Sequence, residues 1–255
     1  MNPYKYLLKH LSHLSIGYQK LVTRTYLAVV PQILFYSKRP LLKGIYFSFS
    51  DQEKKEKSFI EGSVIWGSSI IKNTESTVKT FGDSKIPDKG HLIFINHVNE
   101  LDFPFDCVMI QKPFLANQVI KSTYVAYWWM KAMGSKVFDT SHARTISHSV
   151  RQLVEGLKNH SYIVYPEGHN SYSEEIKNLK KGMIKLAHDN KIPIFLVLKS
   201  GIANLQVKQK GNQIGYKFSG VIDPNEFTNW EDLKIFIFNK MVEEKNQLDA
   251  ELAKL

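Results

Sequence analysis

Short apolar runs, each closed by polar or turn-forming residues, recur through the second half of this chain. His91-Leu92-Ile93-Phe94-Ile95, Ser161-Tyr162-Ile163-Val164-Tyr165 and Lys191-Ile192-Pro193-Ile194-Phe195-Leu196-Val197-Leu198 are short and rich in β-branched and aromatic residues. Each therefore reads as a strand buried on both faces. Gly215 to Ile222 reads as a late strand. Between these runs the apolar spacing turns helical, as in Phe105 to Ile110 and in Met183-Ile184-Lys185-Leu186-Ala187. From Trp230 onward a terminal helix is expected, with Glu231, Asp232, Lys240, Glu243 and Glu244 on its wet side. Strand and helix alternate from Val78 to about Asp223. That alternation predicts an α/β fold with a mixed, mostly parallel central sheet flanked by helices.

The first part of the chain follows another pattern. Residues up to about Tyr46 read as helical and membrane-contacting, Asp51 to Lys57 as a charged break, and Ser58 to Lys72 as a second helix. Leu21 to Tyr36 is apolar but broken by Arg24 and Pro31, so it falls short of the roughly 18–20 apolar residues that span a bilayer. Before it, Lys5, Lys9, His10 and Lys20 are interleaved with Tyr4, Tyr6, Leu7, Leu8 and Leu11, an interfacial pattern. A small-residue cleavage site is missing, which argues against a signal peptide.

Charge and composition narrow the partners. The formal net charge of +10 calls for an anionic one. The lysines are spread out and no nucleic-acid motif is present, so nucleic acid is not expected. An anionic bilayer fits better, since each Lys or Arg near its surface adds roughly 1 kcal/mol of attraction. With 255 residues and 43% hydrophobic content the chain can bury a substantial core. The single cysteine, Cys107, excludes an internal disulfide and suits a reducing compartment. It sits in an apolar helical pattern, which makes a buried structural role the expectation and a Cys-His nucleophile the alternative. No Cys/His cluster has metal-ligand spacing, and neither a G-x-G-x-x-G nor a Walker-type loop occurs.

The candidate chemistry lies where the strands end. Asn96-His97-Val98-Asn99-Glu100-Leu101-Asp102 follows the first run and sets a histidine and an aspartate five residues apart. They can meet if the histidine precedes a helix and the aspartate reaches back from its first turn. The aspartate would then hold one imidazole nitrogen protonated while the other accepts a proton from a hydroxyl. A polar strand-to-helix turn needs no catalytic explanation, so the pair acquires weight only from context. The second run leads into Pro166-Glu167-Gly168-His169-Asn170-Ser171, where proline closes the strand and glycine permits an uncommon backbone geometry. Taken singly, Glu167-Gly168 reads as a turn and Lys180-Lys181 as a solvated face.

In order and spacing these pieces resemble the glycerolipid acyltransferases, the family that includes bacterial 1-acylglycerol-3-phosphate acyltransferases. Asn96 to Asp102 matches the NHxSxxD block, with Asn99 where serine is usual. Lys121-Ser122-Thr123, Trp128 to Gly134 and Val137-Phe138-Asp139 resemble the second block. Tyr165 to Ser171 resembles FPEGTRS, Lys180-Lys181-Gly182 follows at the bacterial spacing, and Ile192-Pro193-Ile194 fits the final VPI block. Gly82, Ile86-Pro87 and Gly90 agree with the family's lead-in, and the similarity runs from about Val78 to Val197.

Residues 1–75 thus read as a helical, membrane-associating segment, and the resemblance implies 76–255 as an acyltransferase domain. It implies His97 as general base and Asp102 as its orienting partner, with direct transfer and no acyl-enzyme. Asn96, Lys121, Glu167, Gly168, Ser171, Lys180 and Lys181 become candidates for binding acceptor or donor. The donor would be acyl-CoA or acyl-carrier protein, the acceptor a lysophospholipid, with no metal and no further cofactor. The expected location is the cytoplasmic face of a membrane, peripheral or shallowly inserted. Two departures bear on the acceptor: Asn170 stands for the arginine of FPEGTRS, and Thr140 for the arginine after the second block. An arginine fork binds phosphate bidentately, which asparagine does not. A thioester hydrolase and a non-catalytic lipid-binding relative are the alternatives. The lack of a G-x-S-x-G motif counts against the first, and the retained base against the second.

Overall fold

The computed structural model describes residues 11–82, 85–122, 124–139 and 141–255. The interfacial N-terminal residues Lys5, Lys9 and His10 with Tyr4, Tyr6, Leu7 and Leu8, together with Thr123 and Thr140, lie outside them. The helices are α1 (Ile16–Leu27), α2 (Val29–Tyr36), α3 (Lys38–Phe47), α4 (Gln52–Asn73), α5 (Asp102–Met109), α6 (Tyr124–Ala132), α7 (Ala143–Leu157), α8 (Lys181–Asp189) and α9 (Trp230–Leu252). The strands are β1 (Thr77–Gly82), β2 (Leu92–Ile95), β3 (Leu115–Asn117), β4 (Lys136–Phe138), β5 (Tyr162–Val164), β6 (Ile194–Ser200) and β7 (Gln213–Ile222). They fall into two units. The first comprises 1–76, 100–139 and 204–212, the second 77–99, 140–203 and 213–255.

The second unit is built on a five-stranded sheet of order β1-β7-β6-β2-β5. All its pairings are parallel except β6 with β7. This is the α/β architecture, mostly parallel and flanked by helices, that the alternating pattern predicts. Every residue of β2, β5 and β6 is buried, which is why their sequences run apolar without alternation. Helix α9 packs on β6, β7 and α8. Its buried stripe is Leu233, Ile237, Met241, Lys245 and Leu248, a helical face with a lysine inside it. The Lys245 Nζ is 2.6 and 2.8 Å from the two Asp249 oxygens and 3.2 Å from both Glu174 Oε2 and Ser200 Oγ. Strand β1, exposed and without apolar alternation, was not readable as a strand; its pairing with β7 creates it.

In the first unit the long helix α4 packs against α3 and α5. Here the sequence reading needs correction. Asp51 to Lys57 is no break: Asp51 caps α4, accepting a hydrogen bond from the Lys54 amide at 3.0 Å, and the charged residues form its opening turns. A capping aspartate with a further acid in the first turn suits a helix start as well as a loop, because both are solvated. The Lys54 hydrogen bonds hold the Asp51 carboxyl below its ordinary range. Phe59 meets Trp128 and Trp129 edge-on, and the Trp129 indole donates to Ser63 Oγ at 2.8 Å. Strands β3 and β4 form a separate two-stranded parallel sheet, too short to announce itself in sequence.

Gly67 sets the approach of α4 to α5. A Cβ there would lie 2.2 Å from the Pro104 carbonyl oxygen. Gly67→Ala gains helix propensity, worth about 1 kcal/mol on an open helix face. It also overpacks a contact with backbone, which costs about 1–3 kcal/mol. The expected outcome is net destabilisation by denaturant titration. A more stable Gly67→Ala protein would mean the helices are not in this contact.

Candidate active site

Strand β2 ends at Ile95, and what ends it is the side chain of the next residue, Asn96, imitating a backbone. Asn96 is buried, its Oδ1 accepts from the Lys199 amide at 2.8 Å and its Nδ2 donates to the Lys199 carbonyl at 3.0 Å. The amide takes the β6 edge groups that a continuing β2 would have used, so the main chain is released to turn away. Sequence reading made Asn96 a substrate contact; the structure shows its amide engaged with β6.

His97 is the first residue beyond that turn and is half-buried. Its amide donates to Glu167 Oε1 at 3.2 Å, and its carbonyl accepts from the Ser171 amide at 2.9 Å. One residue on, the Val98 carbonyl accepts from the Tyr172 amide at 2.8 Å. The loop after β2 is thus zipped to the loop after β5. Glu167 is 1% exposed, and its other oxygen accepts from the Lys177 amide at 3.4 Å. A buried carboxylate is tolerated when donors meet it, and this one is met by amides from two segments. The His97 ring stacks on Tyr165, centroids 4.0 Å apart and planes 8° from parallel.

The remaining candidates in this unit surround that zipper. Gly168 has φ +69°, and a Cβ there would meet the Lys180 stem at 3.2 Å. Ser171 Oγ donates to the Ser173 carbonyl at 2.8 Å. Lys180, exposed, caps α8 and donates its amide to the Pro166 carbonyl at 2.8 Å; Lys181, also exposed, is the first residue of α8. His169 Nδ1 lies 2.8 Å from the Glu167 carbonyl and Asn170 Nδ2 donates to the Tyr172 hydroxyl at 3.2 Å, so two of the residues that depart from FPEGTRS have partners within their own loop. Asn99, fully buried, donates to the Ile202 carbonyl at 3.2 Å.

Asp102 and Lys121 belong to the first unit. Asp102 is the first residue of α5 and fully buried. The turn before it is pinned by α1: the Tyr18 hydroxyl donates to Glu100 Oε2 at 3.0 Å, and the Tyr26 hydroxyl donates to the Glu100 carbonyl. Burial, then the Glu100 charge, pushes both phenols well above their ordinary range, so they stay donors. Lys121 pairs with Asp139 at 3.5 Å. Cys107 is buried in α5, and burial with the Asp106 charge pushes its thiol up, the reverse of what a nucleophile needs. Among the described residues no group of His, Cys, Asp and Glu has an arrangement that holds a metal ion.

Sequence reasoning missed Tyr165, Lys199 and the Tyr18–Glu100–Tyr26 clamp. A lysine interrupting an otherwise apolar strand was the available signal for Lys199. The clamp left none, because its members are 74 and 82 residues apart.

A family model described as Acyltransferase matches residues 77–198. The 1-acyl-sn-glycerol-3-phosphate acyltransferase of Saccharomyces cerevisiae is 30% identical over 141 residues, 50% of this chain and 44% of that protein. The chain thus matches under half the length of that relative. The acl-1 protein of Caenorhabditis elegans, provisionally named for the same activity, is 25% identical over 178 residues, 66% of this chain and 67% of its own. The crystal structure of the 1-acyl-sn-glycerophosphate (LPA) acyltransferase PlsC from Thermotoga maritima shares the fold, with TM-score 0.73 at 22% identity over 90% of this chain and 95% of that one.

The zipper makes a prediction of its own. In Glu167→Gln the amide nitrogen of the new side chain faces a backbone N–H, leaving one buried donor unmet at about 1–3 kcal/mol. Native-state hydrogen exchange should speed up at the His97 or the Lys177 amide, whichever the new nitrogen faces, and stay unchanged in β6. Unaltered protection at both amides would refute the clamp.

Proposed function

We propose that this chain, whose residues 77–198 match the acyltransferase family model, moves a fatty acyl group from a thioester donor to the free hydroxyl of a lysophospholipid. The acceptor is of the 1-acylglycerol-3-phosphate type, and the donor is acyl-CoA or acyl-carrier protein. The observation that carries the reading is the fixed position of His97, just past a buried parallel strand and bonded through its own backbone to the Pro166-Glu167-Gly168 loop. Strand ends of this kind are where α/β folds keep their chemistry.

In this reading His97 takes the acceptor's hydroxyl proton as the oxygen attacks the thioester carbonyl. The tetrahedral oxyanion collapses, the C–S bond breaks, and the imidazolium returns the proton to the departing thiolate. Asp102, at the start of α5, is the partner that fixes the imidazole tautomer. The support is the five-residue spacing together with its burial beside the Tyr18 and Tyr26 clamp. Glu167 acts by holding the loop. Lys180 and Lys181, exposed at the start of α8, supply the cationic contacts for phosphate, with Lys121 as a further contact. No cofactor beyond the donor is required.

The same reading puts the protein at an anionic bilayer, peripheral or shallowly inserted, on its cytoplasmic face. No helix among the described residues is long and apolar enough to cross a membrane. Helices α2 and α3 with the turn after them expose Leu34, Phe35, Leu42, Tyr46 and Phe49, and carry exposed Lys38, Arg39 and Lys43. Apolar side chains rimmed by cations suit an anionic lipid interface.

Two experiments test these statements. Thiol release from a long-chain acyl-CoA, and from acyl-carrier protein in parallel, is measured across a panel of lysophospholipids. Acceptor-dependent release is expected, reduced about 10²–10⁴-fold in His97→Ala. Release without any acceptor would replace the transferase by a hydrolase, and no release with either donor would favour a lipid-binding module. Separately, Phe35→Ser, Tyr46→Ser and Phe49→Ser combined should weaken co-sedimentation with anionic vesicles at least about tenfold. Unchanged sedimentation would remove this face from the membrane contact.

A further inference from the structure

Lys199 is a charged residue in a strand that is otherwise apolar from Ile194 to Leu198, and it is fully buried. Strand register explains where its side chain goes. Ile95 lies opposite Val197, and Phe94 opposite Val164. Side chains alternate between faces, and parallel neighbours in register share a face. One residue past Val164, Tyr165 therefore lies on the face of Ile95 and Val197; two residues past Val197 within β6, Lys199 returns to it. The contacts agree: Lys199 Nζ is 5.0 Å from the Tyr165 ring centroid, and the same ring stacks on His97 at 4.0 Å.

The backbone of His97 is held at both its amide and its carbonyl. Those bonds fix the backbone, while the plane of the imidazole is set by contacts of the ring itself, since the terminal torsion of histidine is broad. A base must present one nitrogen along a narrow direction, and a misplacement of about 1 Å can cost about 10²-fold in rate. The Tyr165 stack constrains that plane. A buried ammonium is unfavourable unless compensated, and an aromatic face is one compensation.

We propose that Tyr165 and Lys199 are positioning residues for His97: the ammonium fixes the Tyr165 ring, and the ring fixes the plane of the imidazole. This rests on the acyl-transfer reading only in taking His97 as the base. The stack itself can be observed without turnover.

The test uses the full chain with labelled histidine, the His97 ring signals being identified by their loss in His97→Ala. In the wild type and in Tyr165→Phe these signals should be displaced upfield by the stacked ring. In Tyr165→Leu they should return to ordinary positions. In parallel, kcat should fall at least about tenfold in Tyr165→Leu with KM nearly unchanged, and Tyr165→Phe should restore most of it. Lys199→Met should lower kcat about fivefold, with Lys199→Arg recovering part of the loss. Thermal unfolding checks that each variant is folded. Should Lys199→Met not fold, the Tyr165 pair and the ring shifts decide. Ordinary ring shifts in the wild type, a folded Tyr165→Leu that keeps its kcat, or a loss confined to KM each overturns the proposal. A wild type without acceptor-dependent release sinks the acyl-transfer reading alone, since the ring shifts still report the stack.

Discussion

The carboxylate of Glu167 is the contact on which the candidate site depends. It sits out of water and accepts from two backbone amides, those of His97 and Lys177, ten residues further along its own loop. An uncharged apolar residue could fill the same space, but it would strand both amides in a dry environment. Each unmet donor then costs about 1–3 kcal/mol. An acid is thus required here for structural reasons before any substrate is considered. Because one of its amides belongs to His97, holding the loop and holding the histidine are a single act.

The sheet is arranged to make that contact available. Strands β2 and β5 run parallel and deliver Asn96-His97 and Tyr165-Pro166-Glu167 to the same edge. Asn96 then ends β2 by giving its side-chain amide to Lys199, so the chain leaves the sheet without orphaning β6. Strand β7 runs against β6, and α9 packs on both strands. From α9, Lys245 reaches Glu174 at 3.2 Å, and Glu174 Oε1 accepts from the Ala203 amide at 2.8 Å. The segment that begins at Glu167 is therefore tied down again seven residues later. A loop fastened at both ends can carry a rigid site although it has no regular structure of its own.

What sequence disclosed and what it withheld divide along one line. Leu92 to Ile95, Tyr162 to Val164 and Ile194 to Leu198 were legible because burial on both faces forces a continuous apolar run. His97, Glu167 and Gly168 were legible because local spacing at a strand end carries them. Strand β1 was not, since its residues are largely exposed and its identity comes from β7, more than a hundred residues away. Asp51 to Lys57 was misread because a solvated helix start and a solvated loop have one composition. Tyr18, Tyr26 and Lys199 act through partners remote in sequence, and each looks like an ordinary residue of its helix or strand.

The departures from the family pattern at His169 and Asn170 can be read against this division of labour. His169 is bonded to the Glu167 carbonyl, Asn170 to the Tyr172 hydroxyl, and Ser171 to the Ser173 carbonyl. Short polar side chains thus close the loop on itself. The bonds that hold His97 use other atoms: the Glu167 carboxylate and the amide of Ser171. Replacing a long cation by asparagine changes what the loop offers a phosphate without touching what it does for the histidine. On the proposed reading, acceptor choice and base placement are carried by different atoms of the same few residues, which lets one vary while the other stays fixed.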